Sequence, residues 1–485
     1  MISILRKIKK GKLSFEGDRP AIITWRETLT YSGLENKIQS AAEYFYSLGV
    51  REKKKVAVIS SNNIEFVICL LALWELNSCV IPLNIRLTDD ELSELLEFSN
   101  ADFVLIHKSE KRNLSVKIPK IIFPFNSSES ILKKKLPGIN PDDISLIMFT
   151  SGATGKPKGV MHSLNDLLNS ADNSQSLFPQ TRDDKWLASL PFFHIGGLSI
   201  ITRTLRFGSA LIIPGSLKNS DLKKAFNNHN PTLASFVTTQ LKRLLDTGWK
   251  PGNELKNLLL GGGFSDEKLI KRALSAGCRI VNVYGSTETS AFVTANSGEN
   301  IIRIPLSVGK PLGRNKIFIV DDDFNIKDDN SSGQILIEGN SLFHGYYKDL
   351  AATRYKLKHG KFLTGDIGFL DERGNLFVEA RRTDLIVTGG ENVNPAEVEN
   401  ILNKLPKINE SCVFALEDTE WGQIVAAAVV VNGQFNAEEI IRFMKGKIAA
   451  YKIPKRIFPL AKFPKSSLDK ILREKVREEI KKLIK

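Results

Sequence analysis

Cysteine is scarce in this sequence: there are four among 485 residues, and no two of them form a CxxC pair. Cys69, Cys79, Cys278 and Cys412 are widely separated along the chain. Such spacing supplies neither the paired ligands of a structural zinc site nor the framework of a disulfide-rich domain. We therefore expect reduced thiols, as in the cytoplasm.

Long hydrophobic runs are also absent. The most apolar stretch, Phe66–Trp74, is followed at once by Glu75, and it is far shorter than the roughly 20 residues that a membrane-spanning helix needs. The opening residues, MISILRKIKKGK, lack the apolar core of a signal peptide. We therefore expect no integral membrane association.

Acidic residues are fewer than basic ones: the sequence has 54 Asp and Glu and 68 Lys and Arg, which gives a formal net charge of +14. A basic surface could attract nucleotides, nucleic acid or acidic lipid. A lysine-rich, solvated surface accounts for the same charge without any such partner. Since the sequence has no motif of interleaved basic and aromatic residues, we expect no nucleic-acid partner.

Apolar runs bounded by turn residues alternate with segments of helical period over most of the chain. KKVAVIS followed by NIEFVICLLALWEL indicates a strand and then a helix, and LKNLLLGGG, SDEKLIKRALSAG and CRIVNVYG indicate strand, helix and strand. This alternation predicts an α/β protein with parallel sheets covered by helices. Between Lys316 and Phe377 the pattern changes to hairpins around Asp, Asn and Gly turns.

A smaller unit of mixed α+β type is predicted after about Arg382. AEVENILNKL and AEEIIRFMKGKI have helical period, whereas SCVFALED and QIVAAAVVV are typical of strands. We therefore expect two domains, residues 1–382 and residues 383–485.

One loop combines the residues that bind an anion. TSGATGKPKG, from Thr150 to Gly159, contains three glycines, three hydroxyl side chains and two lysines. Glycine lets the backbone approach an anion, hydroxyl and N–H groups donate to phosphate oxygens, and lysine adds charge. The loop departs from the P-loop pattern, because Pro157 stands where that pattern has its second glycine. The sequence predicts a phosphate-binding loop of another kind; the alternative is a surface turn.

Two further stretches carry residues that are suited to a nucleotide. In YGSTET, which follows a predicted strand, Tyr284 is suited to stacking on a base and Thr287 to bonding a phosphate. Glu288 in the same stretch is suited to holding Mg²⁺. In TGDIG, Asp366 lies between two glycines, which suits a carboxylate that binds ribose hydroxyls.

Taken in order, these motifs and RRTDLIVTGGENVNPAEVE resemble those of the adenylate-forming enzymes, which include acyl-CoA synthetases, aryl-CoA ligases, luciferases and the adenylation domains of peptide synthetases. The likeness covers nearly the whole chain. It implies a large N-terminal domain of stacked sheets and helices and a small, mobile C-terminal domain, with the active site between them. It also implies ATP, Mg²⁺, CoA and a small-molecule carboxylic acid as reactants or activator, and no tightly bound prosthetic group. A homo-oligomer is left open.

The resemblance assigns the nucleotide to residues that match the family motifs one by one. The β- and γ-phosphates are assigned to Thr150, Ser151, Gly152, Thr154, Gly155 and Lys158. Adenine is assigned to Gly261, Gly262, Gly263, Tyr284 and the adjacent Gly285. The α-phosphate is assigned to Thr287, the ribose to Asp366 and Arg381, and the metal to Glu288 and Thr154.

Lys470, in FPKSSLDKILR, matches the family's near-terminal lysine, which touches both the substrate carboxylate and the α-phosphate. The family usually has glycine just before this lysine, where this chain has Asp469. The alternative for Lys470 is a surface lysine in a basic tail.

The chemistry implied by the resemblance has two steps. A carboxylate attacks the α-phosphate of ATP and pyrophosphate leaves, with Mg²⁺ and Lys470 stabilising the negative charge. A thiol then takes the acyl group, which requires the small domain to rotate about a hinge at Thr383. Gly389, Gly390 and Glu391 are then expected to line the thiol tunnel.

PFFHIGGL lies where the family builds its acyl pocket. Relatives that activate amino acids carry an Asp just after the Phe, whereas here His194 follows Phe193, which argues against an amino-acid substrate. We expect His194 to line or gate the pocket; the alternative is a structural, hydrogen-bonded histidine. Polar groups for a second substrate carboxylate are offered by Ser199, Thr238, Thr239 and Ser290.

Within the family, DDKWLASLPFFHIGGLSI, LLLGGGFS, SVGKPL and WGQIVAAAVVV are most similar to the o-succinylbenzoate–CoA ligases of menaquinone biosynthesis. AFVT after YGSTETS departs from the Ser-Gln that those ligases often have, which leaves the acid open. The sequence thus predicts an AMP-forming CoA ligase for 2-succinylbenzoate; the alternative is a ligase for another aryl or a medium- or long-chain fatty acid. A non-catalytic nucleotide-binding protein is disfavoured, because Glu288, Asp366, Arg381 and Lys470 are all present.

Overall fold

The computed structural model describes residues 4–8, 17–87, 89–124, 136–151, 157–262, 267–381, 386–388, 391–418, 421–445, 447–448, 450–467 and 469–484. The strands in this part of the chain are β1 (Pro20–Ile23), β2 (Thr28–Thr30), β3 (Lys55–Ile59), β4 (Cys79–Leu83), β5 (Phe103–His107), β6 (Lys120–Phe123), β7 (Ile144–Ser151), β8 (Pro157–Ser163), β9 (Lys185–Leu187), β10 (Ala210–Ile212), β11 (Leu233–Val237), β12 (Asn257–Gly261), β13 (Ile280–Tyr284), β14 (Thr294–Asn296), β15 (Lys310–Pro311), β16 (Lys316–Val320), β17 (Gly333–Glu338), β18 (Gly345–Tyr346), β19 (Leu357–Lys358), β20 (Lys361–Leu370), β21 (Leu376–Arg381), β22 (Ile386–Thr388), β23 (Glu391–Val393), β24 (Ile408–Asp418), β25 (Gly422–Val431) and β26 (Arg456–Pro459).

The helices in the same ranges are α1 (Ile4–Ile8), α2 (Tyr31–Ser47), α3 (Ile64–Glu75), α4 (Asp89–Ser99), α5 (Leu164–Ser174), α6 (Ile195–Phe207), α7 (Asn219–His229), α8 (Thr238–Asp246), α9 (Glu267–Ser275), α10 (Glu299–Arg303), α11 (Leu350–Lys356), α12 (Pro395–Leu402), α13 (Ala437–Met444) and α14 (Arg473–Ile484). None of these helices is long and apolar enough to cross a membrane. The four cysteines are buried.

Two large sheets form the first part of the fold. One has nine strands in the order β15-β14-β13-β12-β11-β9-β10-β1-β2, and the other has seven in the order β18-β8-β7-β4-β3-β5-β6. The central strands of both sheets are parallel, and antiparallel strands are added at the edges, such as β14 beside β13 and β8 beside β7. The predicted α/β class is confirmed, with mixed rather than wholly parallel sheets.

Alternate residues of the central strands point into different cores, because successive side chains of a strand lie on opposite faces. On β12, Leu259 joins the core shared by both sheets, whereas Leu258 and Leu260 join a core with helices α7, α8 and α9. On β3, Val58 joins the shared core and Ile59 packs towards α4. The shared core also contains residues of α2, α3, α5 and α6. The two sheets are therefore stacked with helices between them and on their outer faces.

The chain divides into two compact units, Met1–Ile317 with Ile337–Phe362, and Phe318–Leu336 with Leu363–Lys485. The break between Ile317 and Phe318 coincides with the change of sequence pattern that begins near Lys316. The predicted boundary between residues 382 and 383 falls within 382–385, outside the described residues, and stays a prediction. A five-stranded sheet of β16, β17, β20 and β19, with β21 beside β20, contains the predicted hairpins.

The C-terminal part of the second unit is built on a sheet in the order β23-β22-β25-β24, with β26 beside β25. On β25, Val425 packs against α12 and α13, whereas Ala426 faces the core that contains Val476 and Ile480 of α14. The predicted α+β character of this region is therefore confirmed, and α14 uses one apolar stripe of an otherwise charged helix to cover the sheet.

Candidate active site

The predicted phosphate loop connects two antiparallel strands, β7 and β8. Thr150 pairs with Lys158 across this ladder, and the Lys158 ammonium lies 5.0 Å from the centre of the Tyr346 ring, within the range of a cation–π contact. The strand β8 was not predicted from the sequence. The other predicted loop ligands are outside the described residues: the side chain of Ser151, Gly152, Thr154 and Gly155.

Glycine is required at the turns assigned to adenine. A Cβ atom on Gly261 would lie 2.7 Å from Cγ2 of Val283, and Gly262 has a φ of +76°, which side chains disfavour. After β13, a Cβ atom on Gly285 would lie 1.8 Å from the carbonyl oxygen of Ala291. Of the other residues assigned to the adenine base, Tyr284 is the last residue of β13 and Gly263 is outside the described residues.

Glu288 lies in a single 3₁₀ turn, Thr287–Thr289, that follows β13. Its Oε1 accepts a hydrogen bond of 2.8 Å from the Tyr346 hydroxyl, and its carbonyl oxygen accepts one of 2.9 Å from the backbone N–H of Phe343. Burial and the neighbouring Glu288 carboxylate both raise the pKa of Tyr346. The phenol therefore stays protonated and is the donor.

The donor set at this turn fits a metal that arrives with a nucleotide. Within the described ranges, no three His, Cys, Asp or Glu side chains cluster as a metal site. Magnesium commonly takes one or two protein carboxylates and completes its octahedron with phosphate oxygens and water. Glu288 supplies one such carboxylate beside the β8 strand that carries Lys158, whereas Thr154, the other predicted ligand, is outside the described residues.

His162, which sequence reasoning did not single out, connects β8 to the same turn. The side chain is fully buried, and its Nε2 lies 2.8 Å from the carbonyl oxygen of Thr287. Because a carbonyl oxygen only accepts, Nε2 carries the proton. On the other side of the ring, Nδ1 lies 3.2 Å from Oγ of Ser290. The strand that leaves the phosphate loop is thereby joined directly to the residue assigned to the α-phosphate.

Asp166 and His344 extend this network. Oδ2 of Asp166 lies 3.8 Å from Nδ1 of His162 and 3.2 Å from Nε2 of His344. Burial alone would raise the pKa of Asp166, but the two imidazoles and the backbone N–H of Ser163 outweigh it and lower the pKa to about 2. The contact with Asp166 in turn raises the pKa of His344.

The two residues assigned to the ribose lie together in the second unit. Asp366 on β20 pairs directly with Arg381 on β21. The backbone N–H of Asp366 donates to Oγ1 of Thr364 at 3.0 Å, which fixes the turn of the strand at this point. The side chain of Arg381 is outside the described residues.

Lys470 follows a tight turn whose last residue, Asp469, has a φ of +61°. The N–H of Ser466 donates to the carbonyl oxygen of Lys470 at 2.7 Å and closes the turn. This left-handed conformation explains why glycine suits the position, and Asp is among the few other residues that adopt it readily. The Asp469 carboxylate lies 3.8 Å from the Lys465 ammonium, so its charge has a cationic neighbour other than Lys470.

The residues predicted at the acyl pocket lie on three segments: His194 and Ser199 at α6, Thr238 and Thr239 on α8, and Ser290 at the end of the 3₁₀ turn. His194 is the N-cap of α6, half-buried, with its ring 4.7 Å from that of Phe193. Ser199 and Ser290, two of the predicted polar lining residues, are buried, and Thr238 and Thr239 begin α8 at partly buried positions. The hydroxyl of Ser290 donates to the carbonyl oxygen of Ser341 at 2.9 Å.

Arg203, which the sequence analysis missed, lies fully buried on α6. Its Nη1 donates to Ser199 Oγ at 2.6 Å and its Nη2 to Ser170 Oγ at 3.1 Å, while the guanidinium carbon lies 4.2 Å from the centre of the Phe292 ring. Burial lowers the pKa of Arg203 to about 9, so it stays cationic at neutral pH. Among the described residues no carboxylate pairs with it, and its Nε lacks a hydrogen-bond partner.

Of the residues assigned to the thiol tunnel, Glu391 begins β23. Its side chain, Gly389 and Gly390 are outside the described residues. Their role stays a prediction.

Solved structures with this arrangement of elements include enzymes of known chemistry. An o-succinylbenzoate CoA synthetase from Bacillus subtilis, in complex with the acyl-adenylate intermediate OSB-AMP, matches with a TM-score of 0.92 and 30% identity over 98% of both chains. The same enzyme in complex with ATP and magnesium ion matches with a TM-score of 0.91 and 30% identity, over 98% of this chain and 99% of that one. ATP-bound MatB from Rhodopseudomonas palustris shares the fold, with a TM-score of 0.88 at 22% identity over 100% of both chains.

Sequence comparison gives the same result along the chain. The 2-succinylbenzoate–CoA ligase of Bacillus mycoides (strain KBAB4) is 32% identical over 472 residues, which is 96% of this chain and 97% of the relative. Residues 13–347 match the model of the AMP-binding enzyme family, and residues 397–470 match that of the AMP-binding enzyme C-terminal domain. The chain therefore belongs to the AMP-binding enzyme family, whose adenylate-forming fold and chemistry the order of its motifs predicted.

Proposed function

We propose that this protein is an AMP-forming acid–CoA ligase that converts 2-succinylbenzoate, ATP and CoA into 2-succinylbenzoyl-CoA, AMP and diphosphate, a reaction of menaquinone biosynthesis. The similarity to 2-succinylbenzoate–CoA ligases extends over 96% of the chain. The B. subtilis enzyme that binds OSB-AMP shares the whole fold. The observation that favours a diacid over other acids is Arg203.

Arg203 is a buried cation whose hydrogen-bond partners among the described residues are the hydroxyls of Ser199 and Ser170. Burying an unpaired guanidinium is costly, and a carboxylate that pairs with it recovers much of that cost. A second carboxylate on the substrate would supply this partner, and Nε, which has no hydrogen-bond partner in the part of the chain that the structure describes, offers it a further donor. A fatty acid has one carboxylate, which must reach the α-phosphate, so its alkyl chain would leave the cation unpaired.

The residues of the first unit prepare ATP for attack. Lys158 adds charge beside the phosphate loop, Thr287 is held by His162 next to the α-phosphate position, and Glu288 presents its carboxylate to Mg²⁺. When bound, Mg²⁺ supplies positive charge to the phosphate oxygens. A substrate carboxylate oxygen then attacks the α-phosphorus and the bond to the bridging oxygen of pyrophosphate breaks, which gives an acyl-adenylate and diphosphate.

Residues of the second unit are proposed to bind the ribose, to stabilise charge on the α-phosphate and to line the path of the thiol. Asp366 and Arg381 bind the ribose, and Lys470 stabilises charge on the α-phosphate during adenylation. The thiolate of CoA then attacks the acyl carbon, and AMP leaves with the electron pair of the acyl–oxygen bond. Gly389, Gly390 and Glu391 line the path of the thiol in this proposal, and the reaction takes place in the cytoplasm.

The runner-up is a CoA ligase for another aryl acid or for a medium- or long-chain fatty acid. The two are separated by incubating purified protein with ATP, Mg²⁺, CoA and single acids, and by identifying thioesters by mass spectrometry. We expect a CoA thioester from 2-succinylbenzoate and only traces from benzoate, octanoate and palmitate. Thioesters from the fatty acids, with none from 2-succinylbenzoate, would select the runner-up.

A further inference from the structure

The side chain of Tyr346 contacts two of the residues that the sequence assigns to ATP and its metal. It lies on the short strand β18, which pairs with β8 through Tyr346 and Val160, and it is 4% exposed. Its hydroxyl reaches Oε1 of Glu288 at 2.8 Å, and its ring faces the Lys158 ammonium. One side chain thus joins the carboxylate assigned to the metal to a lysine assigned to the phosphates.

The hydrogen bond makes the two oxygens of the Glu288 carboxylate unequal. An ionised carboxylate only accepts and a phenol has one proton, so the Tyr346 proton points at Oε1. A lone pair of Oε1 is thereby occupied, and rotation of the carboxylate about its last bond would break the contact. Oε1 keeps one further lone pair, whereas Oε2 has no hydrogen-bond partner among the described residues and is the oxygen more open to a cation.

We propose that Tyr346 is a positioning residue that makes Glu288 a one-oxygen ligand of Mg²⁺, through Oε2, in the complex with ATP. This inference rests on the proposed ATP-dependent activity, but it concerns nucleotide binding alone and does not depend on which acid is used. Mg²⁺ requires near-ideal octahedral geometry, and a carboxylate that binds through both oxygens distorts it. A fixed carboxylate therefore favours the metal-bound nucleotide over the metal-free one.

A purely structural role for Tyr346 predicts something different. Its ring packs edge-on against Phe343, with the centroids 4.9 Å apart, and a ring that only fills space would not distinguish nucleotide with metal from nucleotide without it. Tyr346→Phe keeps the ring, the packing and the contact with Lys158, and it removes only the hydroxyl. The substitution therefore isolates the hydrogen bond to Glu288.

The chain offers a matched control in the next residue. The Tyr347 hydroxyl donates to the carbonyl oxygen of Ser99 at 2.8 Å, a bond of similar length that does not involve Glu288. Tyr347→Phe removes the same atom from the adjacent residue. Any general cost of losing a tyrosine hydroxyl near β8 is measured by this variant.

The test is calorimetric binding of ATP, without acid or CoA, in Mg²⁺ and in excess EDTA. For Tyr346→Phe we expect binding in Mg²⁺ to weaken about tenfold, as for a lost hydrogen bond to a charged group. Binding in EDTA should stay within about twofold of the wild type, and Tyr347→Phe should change neither value. An equal loss in both buffers, or no loss in Mg²⁺, overturns the inference.

A double-mutant cycle with Glu288→Gln adds a second readout. If Tyr346 acts through Glu288, adding Tyr346→Phe to Glu288→Gln should weaken Mg²⁺-dependent binding by less than about twofold. A further tenfold loss would show that the two residues act independently and would overturn the inference. Wild-type protein that binds no ATP in either buffer would instead refute the proposed function itself.

Discussion

The imidazole Nε2 of His162 lies 2.8 Å from the carbonyl oxygen of Thr287. His162 follows the phosphate loop on β8, and Thr287 begins the turn that carries Glu288, so one hydrogen bond joins two motifs that are 125 residues apart. A buried side chain that is hydrogen-bonded to the backbone holds that backbone in one geometry, which is what transition-state stabilisation requires. We expect this contact to set the position of Thr287 rather than to take part in the chemistry.

Replacing His162 with Phe should therefore lower kcat of the adenylation step and leave KM for ATP within about twofold. Loss of a well-aligned polar group in an active site commonly costs on the order of 10²-fold in kcat. His162→Gln should recover part of the loss, because its amide can donate to the same carbonyl. The measurement is acid-dependent exchange of pyrophosphate into ATP. His107→Gln, at the end of β5, is the control, and an equal loss there would contradict the assignment.

The His344–Asp166 contact predicts a pH-dependent contribution to stability. The pKa of His344 is raised, so its contribution is fully present below the unfolded pKa and is lost as pH rises through the folded value. Asp166, with its pKa lowered to about 2, stays ionised throughout this window. The difference in Tm between wild type and His344→Gln should be larger at about pH 6 than at about pH 9. A difference that grows with pH would contradict this account.

Asp469 occupies a left-handed position, with a φ of +61°, where the family resemblance leads one to expect glycine. Asp469→Gly should keep the turn before Lys470 and retain adenylation within about twofold, since glycine adopts this conformation freely. Asp469→Val should lose much more, because a β-branched residue at positive φ is strained by about 1–3 kcal/mol. Pyrophosphate exchange and Tm measure both effects. If the glycine and valine variants lost the same activity, the carboxylate rather than the backbone would be what matters.

Lys470 is predicted to act in the first half-reaction. Lys470→Ala should lower adenylation on the order of 10²-fold or more, while thioester formation from supplied acyl-adenylate stays within about threefold of wild type. Lys475→Ala, on the exposed side of α14, is the control for loss of a nearby positive charge. Equal losses in the two half-reactions would contradict the assigned role.

Local sequence predicted the elements whose pattern is strong, such as β12, β13 and α9. A strand that is buried on both faces is a continuous apolar run, and a helix that is buried on one face has apolar residues at helical spacing. The strand β8 was missed, since PKGVMHS has no clear alternation and its place is determined by pairing with β7. Pairing with β7 on one side and with the distant strand β18 on the other defines β8, and neither contact leaves a pattern in PKGVMHS itself.

The missed site residues share the same cause. Tyr346 lies 58 residues from Glu288 in the sequence, and His162 lies even further from Thr287, so no spacing links them. Arg203 lies in an apolar helix with Arg206, and sequence alone gives no reason to bury one of the two. In the structure Arg206 pairs with Asp172 at 2.7 Å, whereas Arg203 is buried without a carboxylate partner among the described residues.

The most direct test of the proposed substrate compares kcat/KM for 2-succinylbenzoate with the better of two mono-acids, 4-oxo-4-phenylbutanoate and 2-butanoylbenzoate, each of which lacks one carboxylate. Wild type should prefer the diacid by about 10² or more, and Arg203→Met should lose most of that preference, as expected when one partner of a buried charge pair is removed. Arg206→Met, on the same helix, should keep the preference. Equal turnover of diacid and mono-acid by the wild type, or a preference unchanged in Arg203→Met, would contradict the account.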